Sequence, residues 1–226
     1  MSREKLVIAI DGPAGVGKSS VGKAVALKYG LSFLSTGEMY RCLGWKVLTA
    51  GIDPDDAQKV LEAAQSIKWS FERRPDSSLK VFVDGVYLGE ELHREDVGRA
   101  ASKTSANGPA RAVVTQKQKE MALEGNIVME GRDIGTVIAP NAQVKIYLDA
   151  SAQERAKRRF EQLKIKGQDA DYNAILDGII TRDERDKNRA CAPLKPAEDA
   201  VIIDTSAFTL QQVIDKVMEI SSKYAS

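Results

Sequence analysis

The chain has 226 residues and a formal net charge of +1, from 33 Lys and Arg against 32 Asp and Glu. That balance offers no long-range pull toward nucleic acid or an anionic membrane. No stretch approaches the roughly 20 apolar residues of a membrane span, and MSREKLVIAIDG meets an acid too early for a signal peptide. A single histidine, His93 in the charged run GEELHRED, leaves little room for histidine chemistry. Cys42 and Cys191 are far apart and lack metal-ligand spacing. The expected setting is the reducing cytoplasm, and this length suits one large core with small inserts.

Leu6 to Ile10 is a short apolar run of the kind a buried parallel strand requires. Directly after it, Gly12, Gly17, Lys18 and Ser19 stand at the spacing G-x-x-x-x-G-K-S. Glycines let such a loop fold back so that consecutive backbone N–H groups face phosphate oxygens. The following helix, with Val21, Val25 and Leu27, adds its positive dipole end and stops at Gly30. The whole turn, Gly12, Pro13, Ala14, Gly15, Val16, Gly17, Lys18, Ser19 and Ser20, is expected to bind a nucleoside triphosphate. Lys18 would lie between the β- and γ-phosphates and the Ser19 hydroxyl would hold Mg²⁺.

Leu31–Ser35 reads as a second strand, followed by a helix from Gly37 to Gly51 and another opened by Asp53-Pro54-Asp55-Asp56. The pattern then changes to alternating apolar and polar residues in WSFER, LKVFVD and VYLGE. Asp84-Gly85 between the last two is a hairpin signal. A small antiparallel sheet does not fit inside a parallel core, so residues at about 63–93 read as an insert. Helices are predicted over 95–106 and 110–123, with Asn107-Gly108-Pro109 as a breaker between them. NIVME and VKIYL supply the third and fourth core strands. Ser151 caps a helix dense in bases, a second charged helix runs from Asp171 through RDERDKNR, VII at 201–203 is the fifth strand, and 209–222 closes the chain as a helix. Strands alternating with helices imply an α/β fold, a parallel sheet wound on both faces.

Among proteins with this loop, a GTPase is disfavoured: no Asn is followed by Lys and no Gly follows an Asp by three positions. A small-molecule kinase suits the arginines better. Phosphoryl transfer depends on positioning and charge neutralisation, and an acceptor that is itself a phosphate needs no strong base. Ligands of such sheets bind beyond the strand ends. Arg41 follows the second strand, Arg132 the third, and Arg155, Arg158 and Arg159 the fourth, while Arg182, Arg185 and Arg189 lie on the later helix.

The stretches IDGPAGVGKSS, STGEMYR, EGRDIGTVIAP, VKIYLDAS with ERAKRR, and RDERDKNRACAPL resemble the bacterial-type cytidylate kinases of the nucleoside monophosphate kinase group. The resemblance runs from 8 to 194. It implies ATP-dependent phosphorylation of CMP and dCMP with Mg²⁺ bound alongside ATP, and it favours a monomer. It also implies a five-stranded core over 1–37, 111–150 and 171–226, a monophosphate-binding region over 38–110 that contains the antiparallel insert, and a short mobile lid over 151–170.

Carried over by position, the resemblance puts the Thr36 hydroxyl near cytosine, where the family usually has serine, and Asp133 against the cytosine amino group. It gives Arg111 and Arg189 to the base, although NGPARAVV departs from the family's pattern around Arg111. Ser102, Arg182 and Asp186 are implied to hold the sugar, and Arg41 and Arg132 the acceptor phosphate. Arg155, Arg158 and Arg159 are implied to close over the transferring group. Lys18, Arg132 and these three lid arginines form the implied catalytic set. Glu130 stands where aspartate is often found, at a position concerned with metal-bound water. The competing readings are a kinase of another small acceptor, such as UMP or a nucleoside, and a regulatory nucleotide-binding module without transferase activity.

Overall fold

The structure, a computed structural model, describes residues 5–224. The first apolar run forms β1 (Val7–Asp11), buried along its whole length. It leads through the glycine turn into α1 (Lys18–Tyr29), which ends on a left-handed Gly30. Then come β2 (Ser32–Ser35), α2 (Thr36–Thr49) and α3 (Ala57–Ser66), the last capped by Asp56. An antiparallel insert follows: β3 (Trp69–Arg73), β4 (Leu79–Val83) and β5 (Val86–Tyr87). The second half contains α4 (Glu95–Thr104), α5 (Gly108–Glu124), β6 (Ile127–Gly131), β7 (Val144–Asp149), α6 (Ala152–Ile165), α7 (Tyr172–Asn188), β8 (Val201–Asp204) and α8 (Leu210–Ser222).

The main sheet has the order β2-β6-β1-β7-β8, with every neighbouring pair parallel. β1 is central, so the turn after it opens at the middle of the sheet's C-terminal edge. Successive β1 residues face opposite layers, as strand geometry requires. Val7 and Ala9 join the core beneath α2, α3 and α5. Ile8 and Ile10 join the core beneath α1 and α8. Both faces are therefore covered, and the expected doubly wound α/β sheet is present.

The insert is a three-stranded sheet in the order β3-β4-β5. Asp84 and Gly85 make its tight turn, with φ of 53° and 82°, the left-handed pair that a two-residue hairpin demands. Buried Val81 and Val83 seat it against the helical side of the core.

One local reading is corrected. Asn107-Gly108-Pro109 does not merely separate two helices. Gly108 and Pro109 lie in the first turn of α5, and the Asn107 side chain accepts from the Ala110 N–H at 3.1 Å. Proline's missing N–H is harmless in a first turn, where that group has no helical partner. Among the described residues no helix is long and apolar enough to cross a membrane.

Candidate active site

The phosphate turn is held by its backbone. A Cβ on Gly12, at φ +144°, would stand 2.0 Å from the Leu148 carbonyl oxygen on neighbouring β7. Only glycine lets β1 turn so close to that strand. Gly17 has φ +92° and precedes the first turn of α1. Gly15, Ser19 and Ser20 are exposed, Ala14 half-buried, and Pro13 and Val16 buried. Lys18 is 5% exposed and donates to the Pro13 carbonyl at 2.7 Å. Burial, and then the positive charge of Arg132, push its ammonium down to about 7, against the pull of Glu130. An anion belongs at this point.

Glu130, near the end of β6, joins the turn to the next site. Its Oε1 accepts from Ser19 Oγ at 3.0 Å and from Ser35 Oγ at 2.6 Å, and its Oε2 lies 3.9 Å from Lys18 Nζ. Glu130 also lines a second cavity, bounded by α2, α4, α5, the end of β6 and α7.

Every residue expected to hold an acceptor lines that cavity: Thr36, Arg41, Ser102, Arg111, Arg132, Asp133, Arg182, Asp186 and Arg189. Thr36 opens α2 and donates to the Glu130 carbonyl at 2.9 Å. Arg41, one turn on, is anchored to the Leu92 carbonyl at 2.7 Å. Arg111 and Asp133, each 4% exposed by side chain, are joined at 2.7 Å, and Arg189 approaches the other Asp133 oxygen at 3.5 Å. Arg132 donates to Asp186 at 2.8 Å. Ser102 accepts from Arg185 at 2.6 Å, which bridges α4 to α7. Burial lowers the affinity of Arg41 and Arg182 for their protons, and Arg132 adds to this at Arg182. The pocket thus has an excess of guanidinium charge with two aspartates set among it.

The three arginines expected to act together from α6 are separated. Arg155 is buried and faces the phosphate turn, its Nη1 3.1 Å from the Ala14 carbonyl oxygen. Arg158 turns toward the end of β8 and donates to the Thr205 carbonyl at 2.7 Å. Arg159, one helical turn beyond Arg155, is exposed.

Tyr40 is a pocket residue that sequence reasoning missed. Its ring lies 4.9 Å from the Arg111 guanidinium carbon, and its hydroxyl is 3.2 Å from Thr115 Oγ1. Its place one helical turn after Thr36 was a usable signal, because residues four apart share a helix face. Asp183 was also missed, although it stands inside the RDERDKNR run. It makes a two-point ion pair with Arg155.

The cytidylate kinase family model matches residues 8–223. The chain is 43% identical to the cytidylate kinase of Caldicellulosiruptor bescii over 220 residues, 97% of each chain. It is 45% identical to that of Mycolicibacterium paratuberculosis, covering 95% of this chain and 94% of the relative. Among solved structures, an uncharacterized protein from Eubacterium ventriosum superposes with a TM-score of 0.51 at 13% identity, covering 97% of this chain and 99% of that one, a likeness of fold alone. This chain belongs to the cytidylate kinase family.

Proposed function

We propose that this protein transfers the γ-phosphoryl group of ATP to the phosphate of CMP or dCMP, giving ADP and CDP or dCDP. The observation that carries the reading is the shared wall: Glu130 accepts from Ser19 of the phosphate turn and also lines the guanidinium-rich cavity. Two phosphorylated ligands entering from either side would meet end to end there.

In this mechanism an oxygen of the acceptor phosphate forms a bond to the γ-phosphorus as the bond from the β–γ bridging oxygen breaks. The electrons of that bond leave with ADP. No strong base is required, because the acceptor oxygen is already anionic. The backbone of Gly12–Ser20 cradles the donor, and Lys18 neutralises charge that grows between the β- and γ-phosphates. Arg41 and Arg132 hold the acceptor phosphate. Asp133 accepts from the cytosine amino group, the same edge that carboxylates read in nucleic acids. Arg111 and Arg189 complete the base contact, with Thr36 beside them, and Ser102, Arg182 and Asp186 hold the sugar. Arg155 is already in contact with the turn through Ala14. Arg158 and Arg159 would swing in from α6, the lid of this reading.

The Ser19 hydroxyl and the Glu130 carboxylate are hard oxygen donors 3.0 Å apart. That set fits Mg²⁺, which takes few protein ligands and leaves its other positions to water and phosphate. When bound, the ion neutralises phosphate charge. The protein's side of the arrangement is to hold Ser19 and Glu130 in register. A monomer in the cytoplasm is part of the same reading, supported by family membership.

An acceptor panel tests this function: ATP and Mg²⁺ with each nucleoside monophosphate, following ADP. Rapid ADP release with CMP and dCMP is expected. ADP release that does not depend on either would overturn the reading.

A further inference from the structure

Asp11 is the last residue of β1, only 4% exposed, and no step of the mechanism above uses it. It neighbours Gly12, where the phosphate turn begins. Its side chain nevertheless points across the sheet to the acceptor side. Oδ1 accepts from the Ile134 N–H and Oδ2 from the Gly135 N–H, each at 2.8 Å. These two amides follow Arg132 and Asp133 directly. They also open a single wide helical turn, Ile134–Ile138, whose N–H groups at Val137 and Ile138 return to the Asp133 carbonyl. On the backbone, Asp11 sits opposite Gly131 in the parallel β1–β6 register.

We infer that Asp11 is a positioning residue for nucleotide selection, whose carboxylate fixes the Arg132–Gly135 segment in the orientation that presents Asp133 to the acceptor base. The inference rests on the proposed function, because it assumes that Asp133 reads the acceptor. Two oxygens meet two consecutive N–H groups, so the peptide planes after Asp133 cannot rotate without leaving a buried donor unpaired. The same carboxylate belongs to the strand that launches the phosphate turn. One rigid side chain therefore sets the spacing between the donor and acceptor sites, and small errors in such spacing cost large factors in rate. Burial pushes this carboxyl up to about 6, and the two backbone bonds pull the other way. Those bonds are thus what keeps a costly buried charge in place.

Asp11→Asn tests the inference, since the amide keeps the shape but replaces one acceptor with a donor. The expected result is a rise in KM for CMP of about tenfold or more, with KM for ATP changed by less than about threefold. The preference for CMP over UMP should narrow at the same time. The Ile134 and Gly135 amide protons, read by NMR, should move upfield relative to the wild type as the charged acceptor is lost. Equal shifts in both KM values, or no shift in either, overturn the inference. Asp11→Ser, with one small acceptor, is the second variant, and loss of folding in both would assign Asp11 to the core alone and equally overturn it. Wild-type turnover of CMP is measured first: its absence defeats the proposed function, whereas the amide shifts still report on Asp11.

Discussion

The Arg155 guanidinium and the Asp183 carboxylate face each other as a fork, Nη1 to Oδ1 at 3.1 Å and Nη2 to Oδ2, across the gap between α6 and α7. Arg155 also donates through Nε to the Ala150 carbonyl at 3.0 Å. With its Ala14 contact, this arginine ties the phosphate turn to both helices.

Removing one member of a buried pair strands the other charge and costs about 3–5 kcal/mol. Asp183→Ala should therefore lower Tm by about 10 °C in a chain of this size. Substituting the pair together, Arg155→Met with Asp183→Leu, should recover most of that loss, because well-packed apolar residues often replace a buried ion pair without penalty. Thermal unfolding of the three proteins decides the matter. An Asp183→Ala protein that melts with the wild type would show that the fork does not persist in solution.

Lys18 links the electrostatics to pH. Its affinity for a proton is lowered to about 7, by burial first and Arg132 second. The useful form is the cation, which is lost as pH rises. Since kcat/KM reports the free enzyme, kcat/KM for ATP should fall as pH rises above about 7. Bound triphosphate brings negative charge that favours the cation, so kcat should hold to a higher pH. Lys18→Ala should lower kcat at least about a hundredfold, as charge contacts in the transition state are worth about 3 kcal/mol. A flat kcat/KM profile from slightly acid to alkaline pH would contradict the assignment.

Asp133 gives the sharpest separation of donor from acceptor. Asp133→Ala should cripple phosphorylation of CMP while leaving ATP binding nearly intact, because Asp133 lines the acceptor cavity and makes no bond to the phosphate turn. The same change leaves Arg111, 3% exposed, without its carboxylate. ATP-analogue binding by calorimetry distinguishes lost selection from a damaged fold. Equal loss on every acceptor would count against Asp133 as the base reader.

Elements set by local chemistry were readable in advance. The core strands are short apolar runs, and the insert announces itself through alternation and Asp84-Gly85, whose positive φ angles the turn requires. The glycine turn is readable because backbone geometry admits few substitutes, as the 2.0 Å approach at Gly12 shows. The acceptor cavity was different. Thr36, Arg111, Asp133 and Arg189 come from four separate elements, α2, α5, the loop after β6 and the end of α7, and only the resemblance suggested grouping them before the fold brought them to one cavity. Asp11 and Asp183 stayed hidden because their partners are distant in sequence, at separations of 123 and 28 residues for Ile134 and Arg155. Nothing in ERAKRR says that Arg155 is buried and that Arg159, one turn on along the same face, is exposed. Within α6 only Arg155 and Ala156, near its start, are buried, so the difference lies in how far along the helix its neighbours reach.

Gly131 supplies the last test. Its missing Cβ would lie 2.7 Å from Thr36 Oγ1 and 2.7 Å from Ile134 Cδ1. One neighbour opens α2 and lines the cavity, and the other begins the wide turn held by Asp11. Gly131 is not at positive φ, so alanine there meets crowding, not backbone strain. Overpacking a tight site costs typically about 1–3 kcal/mol, and here relief must come from moving Thr36 or the 132–135 segment. Gly131→Ala should raise KM for CMP about tenfold or more, with ATP binding unchanged, since the phosphate turn is not among the close contacts. Gly12→Ala should instead damage both, because its Cβ collides with the β7 backbone. Parallel titrations of the two variants with CMP and an ATP analogue would discriminate. A Gly131→Ala enzyme that binds CMP as the wild type does would show that the cavity is looser than these distances require.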